Sequence, residues 1–320
     1  MNSIFRLPAS GRLIALPPIA SRTLPFSPLC HHKPRCDIWP MVLSWTVVGA
    51  VLCGALLHAS WNALVKSSQD KDLDMAVIHL IGSFLAIPVV MLVGWPSAQA
   101  WPFIGASVII HIGYYLALTG AYRHGELGLT YPLMRGVAPL LVALSATLTL
   151  GESLSAMSWA GVLGISAGVL VIGLHRHALK APKAMGFALA NAVVIAIYTV
   201  VDGLGVRASQ NALQYVATLF LLDGWPFALL MFATRGRALV DYARHRWPIA
   251  TLGALASLGS YGIALWAMTQ APVATVAALR ETSVLFAVLL GAWFLHEAFT
   301  VRRVTGTCII VAGVMALRLG

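Results

Sequence analysis

Two arginines and a glutamate are the residues of this sequence best suited to bind a charged solute. Arg135 and Arg280 each lie about eight residues inside an otherwise apolar run, and Glu281 directly follows Arg280. At 1.5 Å of rise per helical residue this position is ~12 Å deep, near the middle of a ~30 Å hydrocarbon layer. A cation there costs about 2.5–3.5 kcal/mol on insertion scales, so each guanidinium is expected to face a cavity, a partner or both.

Two arrangements of these arginines fit the sequence. Together they can hold a carboxylate or phosphate by bidentate hydrogen bonds. Alternatively, they pair with Glu281 or with carbonyl groups at a helix end and fasten parts of the protein together. Neighbours on a helix point ~100° apart, so Glu281 need not neutralise Arg280. It is then available to Arg135, to a substrate ammonium group or to a coupling proton.

Polar and aromatic side chains recur at helical spacing on four other apolar runs. Residues three or four positions apart share one face of a helix. Such faces either line a substrate cavity or join helices by hydrogen bonds of ~0.6 kcal/mol each. Taken as a set, they favour a cavity. The candidate binding residues on them are His58, Trp61 and Asn62, then Tyr115, then Asn191 and Tyr198, and finally Tyr261.

No group of residues in the sequence has the pattern of an enzyme active site. Residues 164–168 read G-x-S-x-G, but they lie inside an apolar helix rather than on a strand-to-helix turn. Cys30 and Cys36, with the histidines between them, match no zinc-site spacing. We therefore predict no catalytic residue, no metal and no cofactor.

The composition indicates a membrane protein. Hydrophobic residues make up 59% of the chain and charged residues only 10%, whereas soluble domains are about 45–50% apolar and about 25% charged. The net charge of +10 could suggest nucleic-acid binding. However, the basic residues lie in short connections and do not interleave with aromatic ones, so we predict no nucleic-acid partner.

Ten apolar runs long enough to span a bilayer follow Met41. They cover residues 43–65, 74–95, 101–122, 127–150 and 157–174, and then 184–203, 212–234, 248–269, 274–295 and 304–319.

The second set of five runs repeats the first. The clearest matches, at offsets of 146 and then 145, are Trp101 with Trp247, Tyr115 with Tyr261, Arg135 with Arg280, Glu152 with Glu297 and Gly161 with Gly306. Because five is odd, the second set must cross the bilayer in the inverted sense. The fold predicted is an all-α membrane protein of ten transmembrane helices, built as two inverted five-helix repeats over residues 41–175 and 184–320.

Residues 1–40 differ from the rest of the chain. They hold five Lys or Arg, one acid and seven prolines. Prolines at this density prevent a helix, so we predict a disordered tail. It is either a basic transit peptide or an over-long reading of the gene, with Met41 as the simpler start.

The repeated unit, the Gly151-Glu152 and His296-Glu297 span ends and the glycine-rich closing helices resemble the drug/metabolite transporter superfamily, and within it the EamA-domain permeases. The resemblance covers residues 43–319 and includes the segments 58–62 and 131–136. It implies a ten-helix carrier, often an exporter of amino acids or other metabolites. It also implies a multi-pass protein of a plasma membrane, such as the bacterial inner membrane.

The charge distribution and the resemblance imply opposite orientations. Twelve Lys and Arg follow the odd-numbered spans, against two after the even-numbered ones. The positive-inside rule then places the odd side in the cytoplasm and both termini outside. Members of the family usually have both termini inside.

The function predicted is secondary transport of a small anionic or zwitterionic solute, such as an amino acid, by alternating access. Inverted repeats with midplane charges are typical of that mechanism. The alternatives are a membrane-embedded enzyme and a non-transporting sensor or scaffold. The expected partners are the lipid bilayer, the small-molecule substrate and a coupling proton, while oligomeric state has no signal in the sequence.

Overall fold

The computed structural model describes residues 43–124, 127–173, 181–295 and 300–320. Within these ranges the chain is helical and contains no strand, in agreement with the predicted class. The predictions for residues 1–40, and for His296 and Glu297, lie outside the described residues.

The helices follow the predicted apolar runs, with one run divided in two. In order they are α1 (Trp45–Lys66), α2 (Lys71–Val93), α3 (Trp101–His124), α4 (Leu127–Thr149), α5 (Ala156–Gly173), α6 (Pro182–Ser209), α7 (Ala212–Arg235), α8 (Arg237–Met268), α9 (Val273–Arg280), α10 (Ser283–Leu295) and α11 (Val301–Leu319). A single 3₁₀ turn, Ala98–Ala100, precedes α3.

Helix starts are fixed by capping side chains that satisfy the free backbone N–H groups of the first turn. The Ser44 hydroxyl accepts a hydrogen bond from the N–H of Val47 at 3.2 Å. Asp70 accepts from the second and third residues of α2, both at 3.1 Å, and Asn211 caps α7 in the same way. These polar residues therefore set where the apolar runs begin as helices.

The predicted connection between the seventh and eighth spans is almost absent. Only Gly236, at φ +53°, separates α7 from α8, and α8 continues for 32 residues. The polar stretch 237–247 consists largely of good helix formers, so it extends the eighth span as a helix instead of forming a loop.

Nine segments of the described part are long and apolar enough to cross a membrane. The protein is therefore an integral, multi-pass membrane protein. One of the nine, Val273–Leu290, includes the junction of α9 and α10. The last helix, α11, carries Arg302, Arg303 and Arg318 and is not among the nine.

The predicted ninth span is broken at its centre. The N–H groups of Glu281 and Thr282 bond to carbonyls three residues back, at 3.0 and 3.1 Å, which tightens the helix to a 3₁₀-like turn. The Thr282 hydroxyl adds a bond to the Leu279 carbonyl at 2.7 Å. Consequently α9 ends at Arg280, and Glu281 lies at the break between α9 and α10.

Four pairs of long helices make the most extensive contacts in the described part of the chain. They are α1 with α8, α3 with α6, α2 with α7, and α5 with α11. Contact between α6 and α8 joins the first two pairs. The four spans predicted to present polar faces are therefore neighbours.

The α5–α11 pair is held at close distance by glycines. A Cβ added to Gly168 would lie 2.7 Å from the Gly306 carbonyl oxygen, and one added to Gly161 would lie 2.8 Å from that of Gly313. Small residues of this kind let two helix backbones touch in a bilayer, where dispersion replaces the hydrophobic effect. Gly164 and Gly168 of the G-x-S-x-G segment therefore serve this packing, since a Cβ on either would meet the backbone of α11.

The substitution Gly168→Ala is expected to destabilise the protein by about 1–3 kcal/mol, because its methyl group overlaps backbone that side-chain rotation cannot move. Gly105→Ala in α3 is the matched control, since nothing lies within 4 Å of its added Cβ. The thermal unfolding midpoint of each variant in detergent measures the effect. Equal midpoints for both variants would contradict the role given to this seam.

Candidate functional site

The centre of the candidate site is an ion pair between α4 and the break in the ninth span. The Nε of Arg135 lies 2.7 Å from Oε2 of Glu281, and the two side chains are only 7% and 5% exposed. The pairing with Glu281 considered from the sequence is thus present for Arg135. Burial of both groups makes removal of either one costly, because the other is left as an unpaired buried charge.

The pair leaves hydrogen-bonding capacity unused. In the described part of the chain, Nη2 of Arg135 has no hydrogen-bond partner, and Nε and Oε2 are in ionic contact without hydrogen-bond alignment. A guanidinium carries five N–H donors in a planar fork. Arg135 can therefore keep Glu281 and still donate to another group.

Arg280 is in a different situation from Arg135. Its guanidinium carbon lies 5.2 Å from the centre of the Tyr261 ring, a cation–π arrangement, and the residue is 8% exposed. Among the described residues no carboxylate lies within 4 Å of it. Although the repeat makes the two arginines equivalent, one is ion-paired and the other is not.

Tyr261 connects Arg280 to a buried aspartate. Its hydroxyl donates to Asp202, which also accepts from the Tyr215 hydroxyl at 2.8 Å. Asp202 is fully buried, although it lies near the end of the apolar run 184–203. The reason is that α6 continues to Ser209, more than a turn beyond the predicted end of its span.

A second polar group surrounds Asp223 of α7. Its Oδ2 accepts from the Tyr115 hydroxyl at 3.1 Å. Nδ1 of His79 lies 3.7 Å from Oδ2, and Nδ1 of His111 lies 3.7 Å from Oδ1. Asp223 and His79 are not among the site residues predicted from the sequence, because the repeat pairs neither with a polar counterpart.

An aromatic stack joins the two groups. The His111 ring stacks on Tyr198 at 4.6 Å, and the centre of Tyr198 is 6.4 Å from that of Tyr261. Tyr115 stacks in turn on Phe227 at 4.6 Å. The three predicted tyrosines therefore lie in one continuous aromatic layer between α3, α6, α7 and α8.

The remaining predicted residues make mostly local contacts. The indole N–H of Trp61 donates to Nδ1 of His58 at 3.3 Å, and the Asn62 amide donates to the His58 carbonyl at 2.7 Å. The amide of Asn191 donates to the Met134 sulfur at 2.8 Å. The structure thus brings Arg135, Arg280, Glu281, Tyr198 and Tyr261 together. His58 lies close enough to both arginines for their charges to act on it, and Asn191 contacts α4 next to Arg135. Trp61 and Asn62 bond within α1.

Two further acids fasten the first half of the chain to the second. Asp74 of α2 accepts from the Tyr242 hydroxyl at 3.0 Å and from Nε of Arg246 at 3.2 Å, both on α8. We call this contact the Asp74 tie.

The other contact, which we call the Glu152 tie, is formed by Glu152 in the segment after α4. Oε1 of Glu152 accepts from Arg207 of α6 at 2.8 Å and from the N–H of Val273, the first residue of α9, at 3.1 Å. Arg207 also donates to the Met268 carbonyl at 2.9 Å. Although Glu152 lies at the end of a predicted span, it bonds within the protein because Arg207 reaches it from the end of α6.

Comparison with known proteins finds a family match for the second half of the chain. Residues 182–319 match the model of the EamA-like transporter family, which confirms the resemblance over that range. A solved crystal structure has 21% sequence identity and a TM-score of 0.68, covering 85% of this chain and 98% of its own. At that identity the likeness shows the fold alone. No curated protein matches the chain.

The Arg135–Glu281 pair can be tested by a double-mutant cycle. Arg135→Gln and Glu281→Gln are each expected to lower the free energy of unfolding by about 3–5 kcal/mol, because each leaves one buried charge without its partner. The double variant should lose clearly less than the sum. Arg244→Gln, which breaks a largely exposed pair with Asp241, should change stability by less than ~1 kcal/mol. Additive losses in the cycle would show that the two charges do not interact.

Proposed function

With residues 182–319 matching the EamA-like transporter family, we propose that this chain is a secondary transporter that exports a small anionic or zwitterionic metabolite by alternating access. The observation that carries the proposal is Arg280, a buried guanidinium without a carboxylate within 4 Å in the described part of the chain. The family match favours a carrier over a membrane-embedded enzyme, since the matched family consists of transporters.

We propose ten transmembrane helices in two inverted repeats, with α9 and α10 together forming the ninth. The packing pattern supports this arrangement. The first helix of each half packs on the third helix of the other half, as α1 with α8 and α6 with α3. The pairs α2 with α7 and α5 with α11 join equivalent helices. Two halves related by a two-fold axis in the membrane plane produce such reciprocal contacts.

The charges suit a zwitterion such as an amino acid. Arg280 can accept a carboxylate in bidentate fashion while its cation remains over the Tyr261 ring. Glu281, already beside Arg135, offers a negative charge one residue away for an ammonium group. The helix break supplies the change of direction that lets Arg280 and Glu281 serve the two ends of one solute, as discontinuous helices do in other transporters.

The two ties are suited to close the site from opposite sides. Arg246 and the Met268 carbonyl, which take part in the Asp74 and Glu152 ties, are 22 residues apart on α8. That separation is ~33 Å along a helix, about the thickness of the hydrocarbon core. Each tie joins the two halves, so opening one and keeping the other exposes a central site to one side only.

Ligand binding tests the role of Arg280. The purified protein is screened by thermal shift against L-amino acids, dicarboxylates, sugar phosphates and tetraalkylammonium ions. A carboxylate-bearing compound at ~100 times its Kd should stabilise the wild type by about 2.7 kcal/mol. Arg280→Gln should abolish the shift, because the cation that holds the carboxylate is removed.

Arg318→Gln is the matched control for this screen. Arg318 also lies over an aromatic ring, that of Trp45 at 4.9 Å, but between α11 and α1. It should keep the ligand-induced shift. A shift that survives in Arg280→Gln, or stabilisation by organic cations alone, would rule out the anion-binding role. Loss of a labelled hit from preloaded proteoliposomes then measures export.

Hydrogen exchange tests the two ties separately. Arg246→Ala should increase deuterium uptake in residues 64–74 and 237–246, and Arg207→Ala should do so in residues 207–212 and 268–273. Each substitution removes the cation that holds one end closed. Arg244→Ala, which alters only an exposed pair on the same stretch of α8, should leave both regions unchanged. If either tie variant loosens both ends equally, the ties are not separate gates.

A further inference from the structure

We propose that Asp223, His79, His111 and Tyr115 form a proton-binding site that couples the two halves of the protein. Proton binding at this cluster is independent of the proposed transport function, whereas its use in driving export rests on that function. The cluster is separate from the Arg135–Glu281 pair and takes the smallest possible ligand, a single proton.

The cluster lies deep in the membrane-spanning part. Asp223 is the twelfth of the 24 residues of α7, so about 16 Å of helix lies on either side of it. Its side chain is 12% exposed, and those of His79 and His111 are 14% and 12% exposed. A carboxylate at this depth has a high free-energy cost unless a neighbouring group neutralises it.

No fixed cation neutralises Asp223 among the described residues. Glu281, Glu152 and Asp74 each have an arginine within 4 Å. Asp202 accepts two tyrosine hydroxyls. Within 4 Å, Asp223 instead has one tyrosine hydroxyl and two imidazoles, groups whose charge depends on a mobile proton.

The geometry gives that proton several acceptors. Oδ2 of Asp223 and Nδ1 of His79 both contact the Tyr115 hydroxyl, at 3.1 and 3.2 Å. Oδ1, which has no hydrogen-bond partner in the described part, faces Nδ1 of His111 at 3.7 Å. That nitrogen donates to the Ser107 carbonyl at 2.9 Å, so a further proton on this ring is taken up at Nε2. With both imidazoles neutral and the carboxylate ionised, the cluster carries one negative charge. One added proton makes it neutral overall, whichever of the three groups holds it.

The surrounding titratable groups do not supply the missing cation. The helix α2 contributes His79, and α3 contributes His111, Tyr115 and its neighbour Tyr114. Beyond His111 lie Tyr198 and Asp202 of α6, and Tyr261 of α8 bonds to that aspartate. Apart from histidine, all of these are neutral or acidic side chains, so a bound proton is the available source of positive charge.

The position of the cluster connects proton binding to movement. It lies across the contact of α2 with α7, one helix from each half of the chain. At that contact Gly224 meets the His79 carbonyl so closely that a Cβ would overlap it, and the Ser83 hydroxyl donates to the Phe220 carbonyl at 2.7 Å. A change in charge between these helices therefore acts directly on the surface where the halves meet.

The same cluster reaches the proposed substrate site through a ring contact. His111 stacks on Tyr198, and Tyr198 lies beside Tyr261. The guanidinium of Arg280 lies over the face of the Tyr261 ring. A proton on His111 would place a second cation near that aromatic layer. Proton and cationic solute are then expected to exclude one another, while an anion is held better.

Infrared difference spectroscopy of the full chain, labelled at Asp and His, tests proton binding directly. Between about pH 5 and pH 8, where histidine exchanges its proton, one titration should change Asp and His bands together. Asp223→Asn should abolish it. Asp74→Asn should leave it intact, because Asp74 is a still more buried aspartate that is paired with Arg246 instead of with histidines. A difference spectrum unchanged in Asp223→Asn would overturn the proposal.

A second variant covers the case in which Asp223→Asn does not fold. His111→Gln removes one acceptor and leaves the carboxylate, so the midpoint of the joint titration should move to lower pH. An unmoved midpoint would exclude His111 from the site. The remaining alternative is that the cluster binds a metal ion, and Zn²⁺ is the probe for it. If Zn²⁺ stabilises the wild type and this effect is lost in His111→Gln, the cluster is a metal site and the proton proposal is wrong.

Coupling is measured with the proton alone. After correction for intrinsic rates, hydrogen exchange at the Asp74 and Glu152 ties should differ between pH 8 and pH 6 in the wild type and not in His111→Gln. The same change in hydrogen exchange in both proteins would show that proton binding at the cluster does not drive movement of the two halves. Because no solute is present, this experiment does not depend on the ligand screen. If the ligand screen fails, the proposed substrate class is wrong, but the proposal that the cluster binds a proton is unaffected.

Discussion

The cost of holding a guanidinium group inside a hydrocarbon layer governs the central part of this protein. For Arg135, a carboxylate at 2.7 Å offsets that free-energy cost. For Arg280, the face of the Tyr261 ring offsets part of it. Neighbours on a helix point ~100° apart, and this span also breaks directly after Arg280, so that Glu281 meets Arg135 of α4 while Arg280 meets Tyr261 of α8. The 3₁₀-like turn at residues 281 and 282 therefore belongs to the charge arrangement.

The acids of the protein fall into two groups with different physical character. Glu281, Glu152 and Asp74 are held by arginines, which stay charged under all ordinary conditions. Their contacts change only when helices move apart. Asp202 and Asp223 are surrounded by tyrosine and histidine, whose hydrogen bonds depend on where protons lie. The first group can fasten conformations, and the second can respond to the solution on either side.

Much of the fold could be predicted because the bilayer imposes a length and a composition on each span. The apolar runs, the glycine seam and the arginines at equivalent depth all follow from that constraint. The helix break could not be predicted, since the run 274–295 has no proline and its only polar residues beside the charges are Thr275, Thr282 and Ser283. The Asp223 cluster was missed for a related reason. It depends on three helices meeting, and neither His79 nor Asp223 has a polar counterpart in the other half.

The division of the structure into fixed and movable contacts follows from the atoms that meet. At the α5–α11 seam, backbone touches backbone at both Gly168–Gly306 and Gly161–Gly313. Such a surface has no side-chain freedom to absorb sliding, so these two helices move as one body. At the two ties, by contrast, the halves meet through side-chain hydrogen bonds, each of modest net free energy, that can be exchanged for water or solute. Around Asp223 such bonds accompany the close contact of Gly224 with the His79 carbonyl. An alternating-access movement would therefore turn about the glycine seam and open at the polar contacts. In the proposed mechanism, the charges then lie where the halves separate and the glycines where they remain together.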